Sequence, residues 1–129
     1  MSYKVFSTFF FEKKVKKLAQ KYRHIKVDLE NLIKSLEISS TIGDQIPGCD
    51  GPIYKTRMAS QDMGKGKSGG FRVIYLVKGS QIFLLTIYPK SERDNIQPIE
   101  INNILSKMHF KNHFWASGTK VTLLAFVSI

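Results

Sequence analysis

Acidic residues are scarce: ten Asp and Glu stand against twenty Lys and Arg, leaving a formal net charge of +10 and a pI near 9.8. Such an excess favours nucleic acid, an acidic protein partner or an anionic surface, and composition alone does not choose among them. Cysteine is nearly absent. The single Cys49 has no partner for an internal disulfide, which fits a reducing cytosol. It lies in the turn-like run Pro47-Gly48-Cys49-Asp50-Gly51 with no histidine nearby to activate it, so it reads as a spacer. No apolar run approaches the roughly 20 residues of a membrane span. The N-terminus also lacks a basic region followed by an apolar signal core. The expectation is a soluble cytoplasmic protein that does not engage a membrane.

At 129 residues the chain fits one domain, and a domain of this size hides roughly two thirds of its unfolded surface, enough for a core without staples. Order is most evident between Tyr54 and Asn95. Phe71 to Val77 and Ile82 to Tyr88 are rich in Val, Ile, Phe and Tyr and are joined by Lys78-Gly79-Ser80, which predicts an antiparallel hairpin. Tyr54 to Met58 is a further short strand, with Lys55 and Arg57 two apart and therefore on one face. Gln61 to Gly70 reads as a polar connection between them.

Tyr3 to Phe11 predicts a first strand, its aromatic cluster also able to enter the helix that follows. From Glu12 the period becomes helical, with Val15, Leu18, Ala19 and Tyr22 on one stripe and Lys13, Lys14, Lys16, Lys17 and Lys21 elsewhere. That basic face is either solvated surface or an aid in drawing in a polyanion. Asp28 to Glu37 predicts a second helix on Leu29, Leu32, Ile33 and Leu36, with Asp28 and Glu30 favoured by the helix dipole. Ser39 to Pro52 reads as a loop with turns. Ser91 to Lys107 predicts a last helix, with Pro98 suited to a first turn. The tail from Met108 to Ile129 has no clear pattern beyond the apolar VTLLAFVSI at its end.

Three motifs fail on context. Gly64-x-Gly66-x-x-Gly69 has dinucleotide-loop spacing but precedes a strand, whereas that loop must open a helix. Gly66-Lys67-Ser68 ends like a P-loop, but Gln61 occupies the place of the first required glycine. His109 and His113 are spaced to share a helix face, yet no third and fourth ligands accompany them, so no metal is expected. His24 has no sequence neighbour that would make it a base. The cations remain. Arg72 opens a strand that is otherwise apolar on both faces, and Lys90 follows the partner strand, so closure of the hairpin makes the two neighbours. If the Tyr54 strand joins this sheet, Lys55 and Arg57 reach the same concavity. The alternative is that these are edge charges kept for solubility.

The strings Tyr54-Lys55-Thr56-Arg57, GKGKSGGFRVIY (64–75) and LLTIYPKSE (84–92) resemble the RelE/ParE superfamily of bacterial toxins, and more narrowly its HigB-like branch. The likeness spans Phe6 to Lys107, which implies a toxin domain over 1–107 and an atypical tail over 108–129. It implies an α+β fold: an N-terminal helical hairpin on a mostly antiparallel sheet of about four strands, with a C-terminal helix. For function it implies the toxin of a type II toxin-antitoxin system that enters the ribosomal A site and cuts messenger RNA. The ribose 2′-hydroxyl attacks the adjacent phosphate, with no cofactor or metal.

By the same resemblance, Arg72 matches the arginine that stabilises the transition-state phosphate, and its planar fork suits two phosphate oxygens. Lys90 matches the cation that acts on the phosphate or leaving group. Lys55 and Arg57 fall on a pair of basic residues. Arg57 holds phosphate, being always protonated, and Lys55 is the general base because crowding by cations favours its neutral amine. Lys65, Lys67 and Arg93 contact RNA, and Tyr88 stacks on a base. The implied partners are the ribosome, its messenger, and a cognate antitoxin of helix-turn-helix type through which alone operator DNA is reached. The chain departs from some ribosome-dependent members in having no tyrosine around Ile96. The rival reading is a non-catalytic RelE/ParE-like binding protein: a gyrase inhibitor, a degenerate toxin or a general RNA-binding domain.

Overall fold

A computed structural model describes residues 3–39, 42–63, 69–93 and 95–110. The chain enters as strand β1 (Lys4–Ser7) and turns at Thr8 into helix α1 (Phe9–Ala19). Thr8 makes that turn possible twice over. Its hydroxyl accepts from the Phe11 N–H at 3.3 Å, capping the helix, and donates to the Leu84 carbonyl at 2.8 Å, pinning the cap to the sheet. Helix α1 therefore opens three residues before Glu12, and the aromatic cluster is shared, with Val5 and Phe6 in the strand and Phe11 in the helix. Helix α2 (Ile25–Ile38) likewise opens before Asp28, because Ile25 heads the buried stripe Ile25, Leu29, Leu32, Ile33 and Leu36.

Within the stretch read as a loop lies a short strand, β2 (Asp44–Ile46). It pairs antiparallel with β3 (Ile53–Met58), which pairs with β4 (Phe71–Lys78), and that in turn with β5 (Gln81–Pro89). Strand β1 lies parallel to β5, so the order is β1-β5-β4-β3-β2. The sheet is mixed and five-stranded, one strand more than the sequence suggested, and the class is α+β as expected.

Helices α1 and α2 cover one face through Phe11, Val15, Ile25, Leu29 and Leu36 against Phe71, Val73, Tyr75, Leu84 and Ile87. The last helix, α3 (Pro98–Phe110), covers the other through Ile101, Leu105 and Met108 against Phe6, Ile53, Ile74, Phe83 and Leu85. Burial on both faces is why β4 and β5 read as unbroken apolar runs. A bulge sits opposite Ile74 and Tyr75: Ile74 pairs with Thr86 but Tyr75 with Leu84, leaving Leu85 extra. The added residue shifts the phase of β5, so Ile87 joins the first face while Tyr88 turns to the second, beside Arg72.

Helix α3 starts at Pro98 rather than near Ser91. Proline takes the first helical position, where its missing N–H is harmless, and Glu100 reaches back to the Gln97 N–H at 3.3 Å. The helix continues past Lys107 to Phe110. The rest of the tail, from residue 111 on and including His113, lies outside the described residues. Among the described residues no helix is long and apolar enough to cross a membrane.

Candidate functional site

Helix α3 covers only part of its face of the sheet. Beyond its N-terminus the same face carries Lys55, Arg57 and Arg72. Cross-strand register decides this: Lys55 stands opposite Ile74 and Arg57 opposite Arg72, so the cations continue the rows that bury Ile53 and Ile74 under α3. Arg72 is flanked on its other side by Tyr88. Lys90 follows β5, and its N–H donates to the Gly70 carbonyl at 3.1 Å, which closes the open end of the hairpin at Arg72. Gly70 has φ +86° and sits where a Cβ would lie 2.7 Å from the Met58 carbonyl, so only glycine lets the incoming chain approach β3 this closely.

The result is an open polar cleft of about 480 Å³ lined by Asp44, Lys55, Thr56, Arg57, Arg72, Lys90 and Asn95. All four cations expected to do chemistry border this single space. Arg72 is 8% exposed, its guanidinium donating to the Phe71 carbonyl at 3.2 Å, so its position is set by the sheet. Lys55 reaches across the cleft and donates from Nζ to Asn95 Oδ1 at 3.0 Å. Arg57 is exposed at the edge where β2 no longer pairs with β3. Charges this dense on preplaced side chains suit an anion whose charge grows during reaction. Among the described residues no group of three or more His, Cys, Asp or Glu is placed to hold a metal. A second cavity, about 350 Å³ at the far end of α3, is walled by Leu76, Val77, Phe83, Leu105 and Met108 and has no comparable convergence of charge.

The residues expected to contact RNA fare differently. Lys65 and Lys67 lie outside the described residues. Tyr88 is 2% exposed and belongs to the apolar cluster under α3, with the Arg93 guanidinium 5.4 Å from its ring centroid. Stacking on a base needs an open ring face, and Tyr88 is covered in this structure; the bulge decides that it lies on the α3 face, beside Arg72. Arg93 forks onto Glu100, with 2.6 Å and 3.3 Å hydrogen bonds, and donates from Nε to the Asn95 carbonyl at 3.1 Å. Here it ties the connection before α3 to the helix. The ion pair holds the Glu100 carboxyl below its ordinary range.

Two lining residues escaped sequence reasoning. Asp44 enters through β2, directly opposite Lys55, and brings one carboxylate among the cations. No local signal announces that pairing. Asn95 had a usable signal: a proline at a helix's first position puts the start at residue 98 and leaves Asn95 outside the helix.

The root of the connection between β3 and β4 is held by α2. The buried Asp28 carboxylate accepts from the Gln61 N–H at 3.2 Å, and burial pushes its pKa up. Asp62 accepts from the His24 N–H and meets the His24 ring Nδ1, each at 2.7 Å, and the ring contact pulls its carboxyl below the ordinary value.

Residues 3–120 match the family model described as the RelE toxin of the RelE/RelB toxin-antitoxin system. Among solved structures, the chain is similar to a mutant of the E. coli toxin RelE in the free state, with 18% identity, 82% of this chain and 93% of that chain covered, and a TM-score of 0.49.

Proposed function

The chain belongs to the RelE toxin family of toxin-antitoxin systems, and from that premise we propose that it is a ribosome-dependent messenger endoribonuclease of the HigB-like branch. As a toxin of such a system it has a cognate antitoxin as partner. That this antitoxin is a helix-turn-helix protein bound to operator DNA, and that the toxin works in the cytoplasm, belong to the proposal.

One observation carries the reading: Lys55, Arg57, Arg72 and Lys90, drawn from β3, β4 and the turn after β5, line one open cleft. In the proposed reaction a ribose 2′-oxygen forms a bond to the adjacent phosphorus while the bond from phosphorus to the 5′-oxygen breaks. Lys55 takes the 2′-hydroxyl proton as general base. Arg72 and Arg57 hold the non-bridging oxygens as their charge rises. Lys90 protonates or stabilises the departing 5′-oxygen. The products are a 2′,3′-cyclic phosphate and a 5′-hydroxyl.

Primer extension on a messenger in a purified translation system tests this, comparing wild type with Arg72→Ala whose fold is verified by circular dichroism. Cuts at A-site codons that need ribosomes and fall by about 10²-fold or more in the variant are expected. Messenger left intact by wild type would sink the nuclease reading and favour a non-catalytic binding protein.

A further inference from the structure

We infer that Asn95 is a positioning residue for Lys55, held over the cleft by a clip between Arg93 and Glu100; the inference rests on the reading of Lys55 as the general base. A lysine ammonium on its four-carbon stem has no preferred direction of its own. Here a direction is supplied from 40 residues away in sequence, where the Asn95 side-chain carbonyl accepts from Lys55 Nζ at 3.0 Å. Asn95 belongs to the irregular segment between β5 and α3, so it needs holding in turn. Arg93 supplies this by donating from Nε to the Asn95 backbone carbonyl at 3.1 Å. Arg93 is fixed by its two-bond fork onto Glu100 and by the Tyr88 ring beneath it. Glu100 is itself anchored, since Oε1 also accepts from the Gln97 N–H and caps α3.

The contact is not needed to hold α3 in place. That helix is seated by Ile101, Leu105 and Met108 and capped by Glu100, whereas the bond from Lys55 to Asn95 joins two residues that line the cleft. The choice of an amide also has chemical content. The cleft around Lys55 already holds one carboxylate, Asp44 opposite it on β2, against the cations Arg57, Arg72 and Lys90. An amide oxygen at Asn95 orients the amine without adding a second countercharge, whereas another carboxylate in its place would favour the protonated lysine, unfit as a base.

The test uses the full chain with Asn95→Ala, Asn95→Asp and Glu100→Gln; glutamine keeps an acceptor for the helix cap but weakens the fork. Single-turnover cleavage of ribosome-bound messenger is followed across pH. For Asn95→Ala we expect the rate constant to fall about tenfold with half-saturation nearly unchanged. For Asn95→Asp the acid limb of the pH profile should move to higher pH, so that raising the pH recovers activity. Glu100→Gln should show a smaller loss of the Asn95→Ala kind. A second readout needs no activity: in ¹³C-lysine-labelled free protein, the two Lys55 Hε protons should be inequivalent in wild type and converge in Asn95→Ala and Glu100→Gln. Wild-type rates with an unmoved pH profile, or a Lys55 resonance indifferent to Asn95→Ala, overturns the inference. A wild type that cuts nothing removes the nuclease reading instead, and a Lys55 resonance that still responds to both variants supports the positioning contact in that case.

Discussion

Arg57 and Arg72 are direct partners across the ladder between β3 and β4, two cations side by side on one face of the sheet. Like charges in that arrangement repel, so the pair detracts from stability and makes sense as a device for gripping an anion. Arg57→Ala is therefore expected to raise thermal stability slightly, by about 0.5 kcal/mol, while lowering messenger cleavage. Calorimetry and primer extension on the same sample would show both, and a variant less stable than wild type would contradict the account.

Arg72 is proposed to offer two donors to the phosphate, and lysine cannot reproduce that fork. Arg72→Lys should keep the fold and recover only a small part of the activity lost in Arg72→Ala. Full activity in Arg72→Lys would mean that charge alone suffices.

Gly43 lies so close to β3 that a Cβ there would sit 2.3 Å from the Lys55 carbonyl and 3.0 Å from the Thr56 side chain. Backbone cannot yield as a side-chain end would, so Gly43→Ala should push β2 off the sheet edge and carry Asp44 away from Lys55. We expect a loss of about 1–3 kcal/mol, read by urea denaturation, with faster amide exchange across β2. Unchanged exchange there would show that the close approach is dispensable.

Tyr75 is fully buried, stacks on Tyr54 with ring centroids 5.6 Å apart, and is hydrogen-bonded to the Gly43 backbone. Burial pushes its phenol from an ordinary value near 10 up to about 12. A raised folded value means the folded state holds the proton more tightly. The resulting stability is intact below pH 10 and lost as pH climbs towards 12, by about 2–3 kcal/mol in all. Alkaline denaturation followed at the phenolate absorption band should show this decline in wild type and a shallower one in Tyr75→Phe.

Asp28 is raised for the same reason, so the sign is again that of a buried acid: its ionised form is disfavoured in the fold, and stability falls as pH rises through the folded value. Asn keeps an oxygen for the Gln61 N–H and removes the charge. Asp28→Asn should be at least as stable as wild type at neutral pH, with its advantage vanishing in acid. A pH series of denaturation midpoints decides it, and a large loss at neutral pH would show that the carboxylate itself is required.

Some residues of the site are marked in the sequence and others are not. Arg72 and Lys90 are neighbours by the logic of a hairpin, because two strands joined by Lys78-Gly79-Ser80 must bring their other ends together. Lys55 and Arg57 share a face by the two-residue period of a strand. The facing of Tyr88 depends on a bulge three residues away, and nothing in the LLTIY run marks where an extra residue is accommodated.

By itself, the sequence determined which segments would be buried and where charge would gather. The helical stripes of α1 and α2, the two-sided apolar strands β4 and β5 and the excess of cations around them are local patterns, and local patterns follow from side-chain periodicity. The tertiary structure alone decided what crosses those segments. It set β1 parallel to β5, put Asp44 opposite Lys55, and brought Asn95 over the cleft on a clip from Arg93 to Glu100. These are contacts between residues far apart along the chain, fixed by register and by how much of the sheet α3 leaves uncovered. No window of neighbouring residues contains that information.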